Sequence, residues 1–268
     1  MSYACVWYGM IVTFVTCHSL NVLNDKSFVS KDPFIPDNFE GFFNLFTITQ
    51  QFSVFIHQVC RVDFGRIAQL SAQSFGNYPY FDCVFRHAFK DNHAYSAYME
   101  KLHRVNIKAN AQQNKCFVGV KDGQIVSAAL LQDPAKKKAA VEDYVKAGGL
   151  SLVFPVGFSK ILNFFHFSED ARADCDQEHP SAWYLEVLAV DDSMKGCGLG
   201  SGMLQDCLIP YVQQQGGQEL TLITNTEGNR KFYAKNGFRE FSERTLEQNG
   251  QKIGNWSFCM DIPAAATA

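Results

Sequence analysis

The feature that most restricts how this chain can fold is an apolar strand that runs into a glycine-rich turn and then a helix. Residues 182–190 (AWYLEVLAV) read as the strand, Lys195-Gly196-Cys197-Gly198-Leu199-Gly200 as the turn, and residues 198–213 as the helix. The inner stripe of that helix is Leu199, Met203, Leu204, Cys207, Leu208 and Tyr211, and Pro210 should kink its last turns. Such a passage brings several backbone N–H groups and the positive end of a helix to one point, which makes an anion site. Glycine matters there because a Cβ would keep a phosphate from close approach, and Lys195 adds a charge that the geometry does not need. The dinucleotide fingerprint GxGxxG fails in register: Gly196 and Gly198 are followed by Ser201, and Gly198 and Gly200 by Met203. The pattern GxxxxGK[ST] is absent from the segment as well.

Around this centre the pattern predicts a mixture of strands and helices. Val54–Val62 resembles a strand, Asp63–Phe75 a helix, and Phe81–Asn110 one or two further helices. Lys115–Lys121 and Gln124–Leu131 alternate as strands about the turn Asp122-Gly123. Lys136–Lys146 looks helical. Leu150–Phe167 is apolar on all sides and is expected to be buried or to line a pocket, and the polar run Ser168–Pro180 is expected as a loop or short helix. In the central strand Tyr184, Glu186, Leu188 and Val190 are expected to share one face. Glu219–Thr224 reads as a strand, Asn229–Asn236 as a helix stopped by Gly237, and Phe238–Thr245 and Asn255–Ile262 as closing strands.

Met194–Gly200 resembles the pyrophosphate turn of the GNAT superfamily of N-acetyltransferases, whose pattern is Gln/Arg-x-x-Gly-x-Gly/Ala, with Lys195 standing where Gln or Arg is usual. The resemblance continues through Thr224-Asn225-Thr226-Glu227-Gly228-Asn229-Arg230-Lys231-Phe232-Tyr233 and Gly237-Phe238, which look like the family's Asn-x-x-Phe-Tyr-x-x-x-Gly-Phe block. It is firm over residues 182–242 and looser over 55–135. Ala182-Trp183-Tyr184-Leu185 is similar to the subgroup containing puromycin-type acetyltransferases. The resemblance implies an α+β fold with a mixed, twisted sheet flanked by helices that splays open after Trp183–Val190. It also implies acetyl-CoA as co-substrate, held by Leu188, Ala189 and Val190, by Lys195, Gly196, Cys197, Gly198, Leu199, Gly200 and Ser201, and by Asn229.

Acyl transfer to an amine needs a neutral amine, a place for the oxyanion and a proton for the leaving thiolate. Glu186 is the one ionisable side chain in its strand and is the candidate proton acceptor, directly or through water; the competing reading is a structural carboxylate. Tyr233 matches the family tyrosine that protonates the thiolate, against the reading of a core aromatic. A backbone N–H near Leu188 or Val190 is the expected oxyanion donor. Cys197 has no histidine placed by sequence to activate it, and direct transfer in a ternary complex needs no nucleophile. Acceptor choice is expected in Tyr78–Asn110 and Leu150–His179, and the acceptor is a small-molecule or peptide amine. A non-catalytic acyl-CoA-binding or scaffold domain is the alternative from another class.

The 268 residues, 47% of them hydrophobic, suffice for one large domain or a domain plus an extension, drawn here as an extension over 1–54, the transferase domain over 55–262 and a tail over 263–268. A formal net charge of -3 offers no broad footprint for nucleic acid. The nine cysteines include no CxxC pair and no Cys/His cluster at zinc-ligand spacing, so no metal is expected and the thiols read as reduced, in a cytoplasmic setting. Residues 3–20 carry no charge, yet the first Lys is Lys26, and Thr13, Thr16, His18 and Ser19 interrupt the apolar run. These features argue against a signal or membrane anchor.

Overall fold

The computed structural model describes residues 55–58, 64–111 and 113–264. The extension over 1–54, with its uncharged stretch, and the last four residues lie outside them.

Seven strands form one sheet in the order β1-β2-β3-β4-β5-β7-β6. They are β1 (Phe55–Gln58), β2 (Lys115–Lys121), β3 (Gln124–Gln132), β4 (Trp183–Val190), β5 (Glu219–Thr224), β6 (Arg239–Gln248) and β7 (Gln251–Asp261). The β4–β5 pair is parallel and the others are antiparallel. Two hairpins come from the same chemistry: Asp122 and Gly123 have φ of 50° and 71°, and Asn249 and Gly250 have 52° and 74°. Both turns place two residues in the left-handed region that Asn-Gly and Asp-Gly tolerate best. The second turn lets β6 and β7 run longer than the alternation of apolar residues suggests.

The helices are α1 (Phe64–Ser74), α2 (Pro79–Phe85), α3 (Asn92–Asn110), α4 (Val141–Lys146), α5 (Leu150–Val156), α6 (Phe158–Glu178), α7 (Leu199–Gly202), α8 (Ile209–Gln214) and α9 (Glu227–Lys235). Asp91 starts α3 by accepting from the Ala94 N–H at 2.8 Å. One sheet face packs Phe117, Leu131, Trp183, Leu185, Leu220 and Phe258 with Leu199, Met203, Leu204 and Leu208. The opposite face packs Val118, Leu130, Val187 and Ala189 with Ile67, Leu70 and Ile107 of α1 and α3.

Three expectations need correction. Lys136–Lys146 is helical only over Val141–Lys146. The run Leu150–Phe167 is neither uniformly buried nor a pocket wall: it breaks at Gly157 into α5 and α6, and Leu150, Phe154, Phe158 and Leu162 point to solvent, Phe154 with 88% of its surface exposed. Ser168–Pro180 is not a loop but mostly the second half of α6, whose polar outer face hides its helical character while Phe167, Ala171 and Cys175 bury the inner one. Among the described residues no single helix is long and apolar enough to cross a membrane; α5 and α6, bent by 111°, pass that test only as a pair. The kink expected at Pro210 takes another form. Met203–Leu208 is a π turn, with the Ile209 N–H donating to Leu204 O, five residues back. Proline donates no hydrogen bond and crowds the preceding turn, and widening the helix just before it removes the clash.

A third cluster joins α2, α3, α5 and α6, with Phe85, Tyr98, Met99, Leu152 and Phe167 buried in it. His103 of α3 lies beside it, its ring stacked on Phe75 at 5.5 Å and edge-on to Phe81 at 5.1 Å. Its Nε2 is buried without a partner. Burial therefore lowers its pKa to about 4 from the ordinary 6.5. The folded chain holds this imidazole neutral while the unfolded chain takes up a proton below pH 6.5, so stability is fully present above that pH and is lost as pH falls toward 4. That difference corresponds to roughly 3 kcal/mol. Urea unfolding between pH 7 and 4 should show this loss in the wild type, and His103→Leu should remove most of it.

Close packing at the start of β4 makes a second prediction. A Cβ on Gly217 would lie 2.5 Å from Val212 Cγ1 and 2.5 Å from Trp183 Nε1. Gly217→Ala should lower unfolding free energy by about 1–3 kcal/mol, the ordinary cost of overpacking, seen as a lower urea midpoint with an unchanged slope.

Candidate active site

The site begins with a missing strand pairing. β4 and β5 meet only through Trp183↔Leu220 and Tyr184↔Thr221. On its other side β4 stays paired to β3 as far as Val190↔Ser127. From Leu185 onward the edge of β4 that faces β5 therefore has no strand partner, and its polar backbone groups are left for something else to satisfy. The Thr221 hydroxyl donates to Trp183 O at 3.2 Å across the closed end of this gap. The sheet splays where the resemblance implies it should.

Within β4 the pairing with β3 slips: Leu130 faces Val187, but Leu131 faces Leu185. Glu186 is the extra residue of a β-bulge, and a bulge reverses the alternation of side chains beyond it. The expectation that Tyr184, Glu186, Leu188 and Val190 share one face is thus corrected. Tyr184 and Glu186 face α3 and α6, whereas Leu188 and Val190 pack with the cluster on the other face.

The surroundings of Glu186 are polar. Its Oε1 accepts from Asn106 Nδ2 at 2.6 Å, and its Oε2 accepts from Gln132 Nε2. Arg172 Nη1 donates to Gln132 Oε1 at 2.8 Å, and because a guanidinium has only donors, the Gln132 amide must turn its NH₂ toward Glu186. Asn106 is oriented in the same way, its Oδ1 accepting from Asn110 Nδ2 at 2.9 Å and from the Tyr144 hydroxyl at 3.3 Å. Arg172 is itself held by Asp176 at 2.9 Å and by the Tyr184 ring, 3.9 Å from the guanidinium carbon.

The turn uses its glycines for more than close approach. Gly196 and Gly198 have φ of 83° and 82°, the left-handed region that side chains disfavour. Gly200 serves packing, because a Cβ there would lie 3.0 Å from Phe232 Cζ of α9. Gly198 caps α7 with no side-chain hydrogen bond, and the first bond of the helix runs from the Gly202 N–H to Gly198 O at 2.8 Å. Helix geometry thus leaves the N–H groups of Gly198, Leu199, Gly200 and Ser201 pointing outward without intrahelical acceptors. Lys195 pairs with Asp192 at 2.6 Å in solvent, so its charge is partly answered already. Half-buried Cys197 lies between the two left-handed glycines and donates its N–H to Met194 O at 3.2 Å.

Tyr233 is buried in α9, its ring 5.1 Å from Phe232, 5.6 Å from Phe238 and 6.1 Å from Phe258. Burial, with the Tyr78 hydroxyl nearby, raises its pKa well above that of an ordinary phenol, so it keeps its proton at neutral pH. Thr226 caps α9 through the Asn229 N–H at 3.3 Å, and the Asn229 side chain reaches the Tyr78 hydroxyl. Tyr78, just before α2, lies 3.0 Å from Thr224 Oγ1 and accepts from the Asn225 N–H at 2.9 Å, which pins α2 to the far end of β5.

The structure therefore gathers Tyr233, Asn229 and Tyr78 at the end of β5, and Leu188, Ala189, Val190 and the turn along β4. Glu186 stands apart from the turn, on the α3 and α6 face. Sequence reasoning passed over Asn106, Gln132, Arg172 and the Tyr78 hydroxyl, because their contacts span 40 to 147 positions and carry no local signal. The two blocks expected to choose the acceptor do meet, with Tyr80 5.0 Å from Phe167 and Phe85 4.9 Å from Phe164, largely as core.

Residues 157–240 match the family model described as an acetyltransferase (GNAT) domain, a span that holds β4, the turn and α9. A comparison with curated proteins gives no match. Among solved structures, a histone acetyltransferase HPA2 and related acetyltransferase from Corynebacterium glutamicum is similar at 20% identity, covering 79% of this chain and 97% of its own, with a TM-score of 0.51. A Drosophila melanogaster polyamine N acetyltransferase is similar at 16% identity, covering 78% of this chain and 100% of its own, with a TM-score of 0.52. These likenesses show the fold alone, and over residues 157–240 the chain is similar to a GNAT acetyltransferase domain.

Proposed function

We propose that the protein moves the acetyl group of acetyl-CoA to a primary amine by direct transfer within a ternary complex. The observation that carries this reading is the departure of β5 from β4 after two residue pairs, beside a turn whose N–H groups point outward. The free edge at Leu188, Ala189 and Val190 suits an amide-bearing arm, the turn Lys195–Ser201 suits a pyrophosphate, and Asn229 lies at the far wall. A left-handed Gly198 and bare amides are what a close phosphate requires. Bound there, acetyl-CoA would supply an activated thioester.

The chain's own side chains then divide the proton work. Glu186 takes the proton of the incoming ammonium, directly or through water, while Asn106 and Gln132 hold both its oxygens in place. Tyr233, protonated and about one helical turn beyond Asn229 on α9, gives its proton to the departing thiolate. The acceptor is a small-molecule or peptide amine that enters from the side of α3 and α6, where the aromatic side chains of α2 and α6 lie.

A panel of amines assayed for CoA release tests the reading as a whole; binding of acetyl-CoA without release on any amine would instead identify a non-catalytic acyl-CoA-binding domain. Gly198→Val forces a β-branched residue to a φ of 82° and places its side chain at the mouth of the turn. Calorimetric titration should show acetyl-CoA binding abolished in a folded variant, and unchanged affinity would move the cofactor site elsewhere. Tyr233→Phe keeps the ring packing and removes the proton. The transfer rate should fall about 10²-fold or more with little change in acetyl-CoA affinity, since the lost interaction belongs to the transition state. Glu186→Gln should lower the rate and flatten the acidic limb of its pH profile; a lower melting temperature with an unaltered profile would mark the carboxylate as structural.

A further inference from the structure

Three potential metal ligands converge at the closed end of the β4–β5 gap, at the opposite end of β4 from the turn. His179 follows the last residue of α6, Glu219 opens β5, and Cys259 belongs to β7. Pairing of β5 with β7 sets Glu219 opposite Asp261 and Thr221 opposite Cys259, so Glu219 and Cys259 are diagonal neighbours on one face. His179 Nδ1 lies 3.0 Å from Glu219 Oε1 and 3.7 Å from Cys259 Sγ, and the three ligand atoms all fall within 4.8 Å of one another. The Phe241 ring packs against the imidazole at 4.7 Å, and Cys259 is buried.

Hydrogen bonding alone serves this trio poorly. A proton on Nδ1 goes to Glu219 and can be shared only weakly with the Cys259 sulfur, a poor acceptor, whereas a bare Nδ1 accepts from the thiol but faces the carboxylate with no proton between them. A single cation at the centre satisfies all three. With zinc–sulfur and zinc–nitrogen bonds of about 2.3 and 2.0 Å, a tetrahedral centre separates its S and N ligands by about 3.5 Å, close to the spacing seen here.

We propose that His179, Glu219 and Cys259 form a zinc site with water in the fourth position, tying the end of α6 to β5 and β7 where the gap closes. Cysteine, imidazole and carboxylate together suit zinc better than magnesium or calcium, which prefer oxygen ligands. Binding converts the thiol to a thiolate: the S–H bond breaks, its electron pair becomes the sulfur–zinc bond, and the proton leaves to solvent. Because binding releases that proton, uptake should strengthen as pH rises.

The test is titration of the full chain, stripped by a chelator, with Co²⁺ as a spectroscopic probe and then with Zn²⁺. One equivalent of cobalt should give a thiolate-to-metal charge-transfer band and the intense visible bands of a four-coordinate centre, with zinc displacing it. Cys259→Ser should abolish the charge-transfer band, and His179→Gln should weaken cobalt binding by more than about 100-fold, beyond the loss expected from an outer-shell partner. Zinc should raise the melting temperature of the wild type and leave Cys259→Ser unmoved. Should Cys259→Ser not fold, Glu219→Gln, at a half-buried strand end, should still weaken binding with the band retained. No cobalt band, a band that persists in folded Cys259→Ser, or a melting temperature indifferent to zinc would overturn the proposal and leave a hydrogen-bonded trio only.

Discussion

The parting of β4 from β5 is the constraint on which the rest of the structure depends. A strand in the middle of a sheet ordinarily satisfies its backbone on both sides, and an unpaired edge in the interior is costly unless something polar fills it. Here the opening is held from both ends. Trp183, Thr221 and the tight seat of Gly217 close one end, while the hydroxyl of Tyr78 fastens a helical segment to the other end of β5. The glycine turn and α9 lie at the open mouth, with Gly200 set against Phe232. The gap is thus a slot edged along β4 by backbone groups that no strand pairs.

Much of the slot and its turn was legible in the sequence because it is local. Strand, turn and helix follow one another within about thirty residues, and the left-handed backbone at Gly196 and Gly198 leaves a glycine signature that can be read directly. The Asp122-Gly123 hairpin was legible for the same reason. The surroundings of Glu186 were not. Glu186 could be picked out as a lone carboxylate, yet its partners lie on α3, β3 and α6 and are polar side chains of ordinary type, so nothing near it in sequence marks the network that holds it. The convergence of His179, Glu219 and Cys259 was hidden likewise, since each neighbour in the cluster is 40 positions from the next, far outside the spacing of a linear metal motif.

Where the sequence pattern misled, the reasons are specific. Leu150–Phe167 looked buried because its apolar residues surround both helices, but only one side of α5 and α6 finds a partner, and Phe154 and Phe158 are left outward among the described residues. Period alone could not reveal that Met203–Leu208 widens to a π turn ahead of Pro210, because such a turn preserves the apolar stripe while changing its hydrogen-bond reach. Alternation in β4 failed for an analogous reason, since one uncounted residue inverts every assignment downstream.

That uncounted residue has a consequence for how the protein can change over time. Upstream of Glu186 the outward phase of β4 addresses α3 and α6; downstream the opposite phase addresses the slot and the cluster beneath it. The bulge works like a phase shift in a repeating signal, so the two halves of one strand are read in different frames. Substitutions before it can remodel the side that faces α3 and α6 without altering which residues line the slot, so the two sides of one strand can change independently.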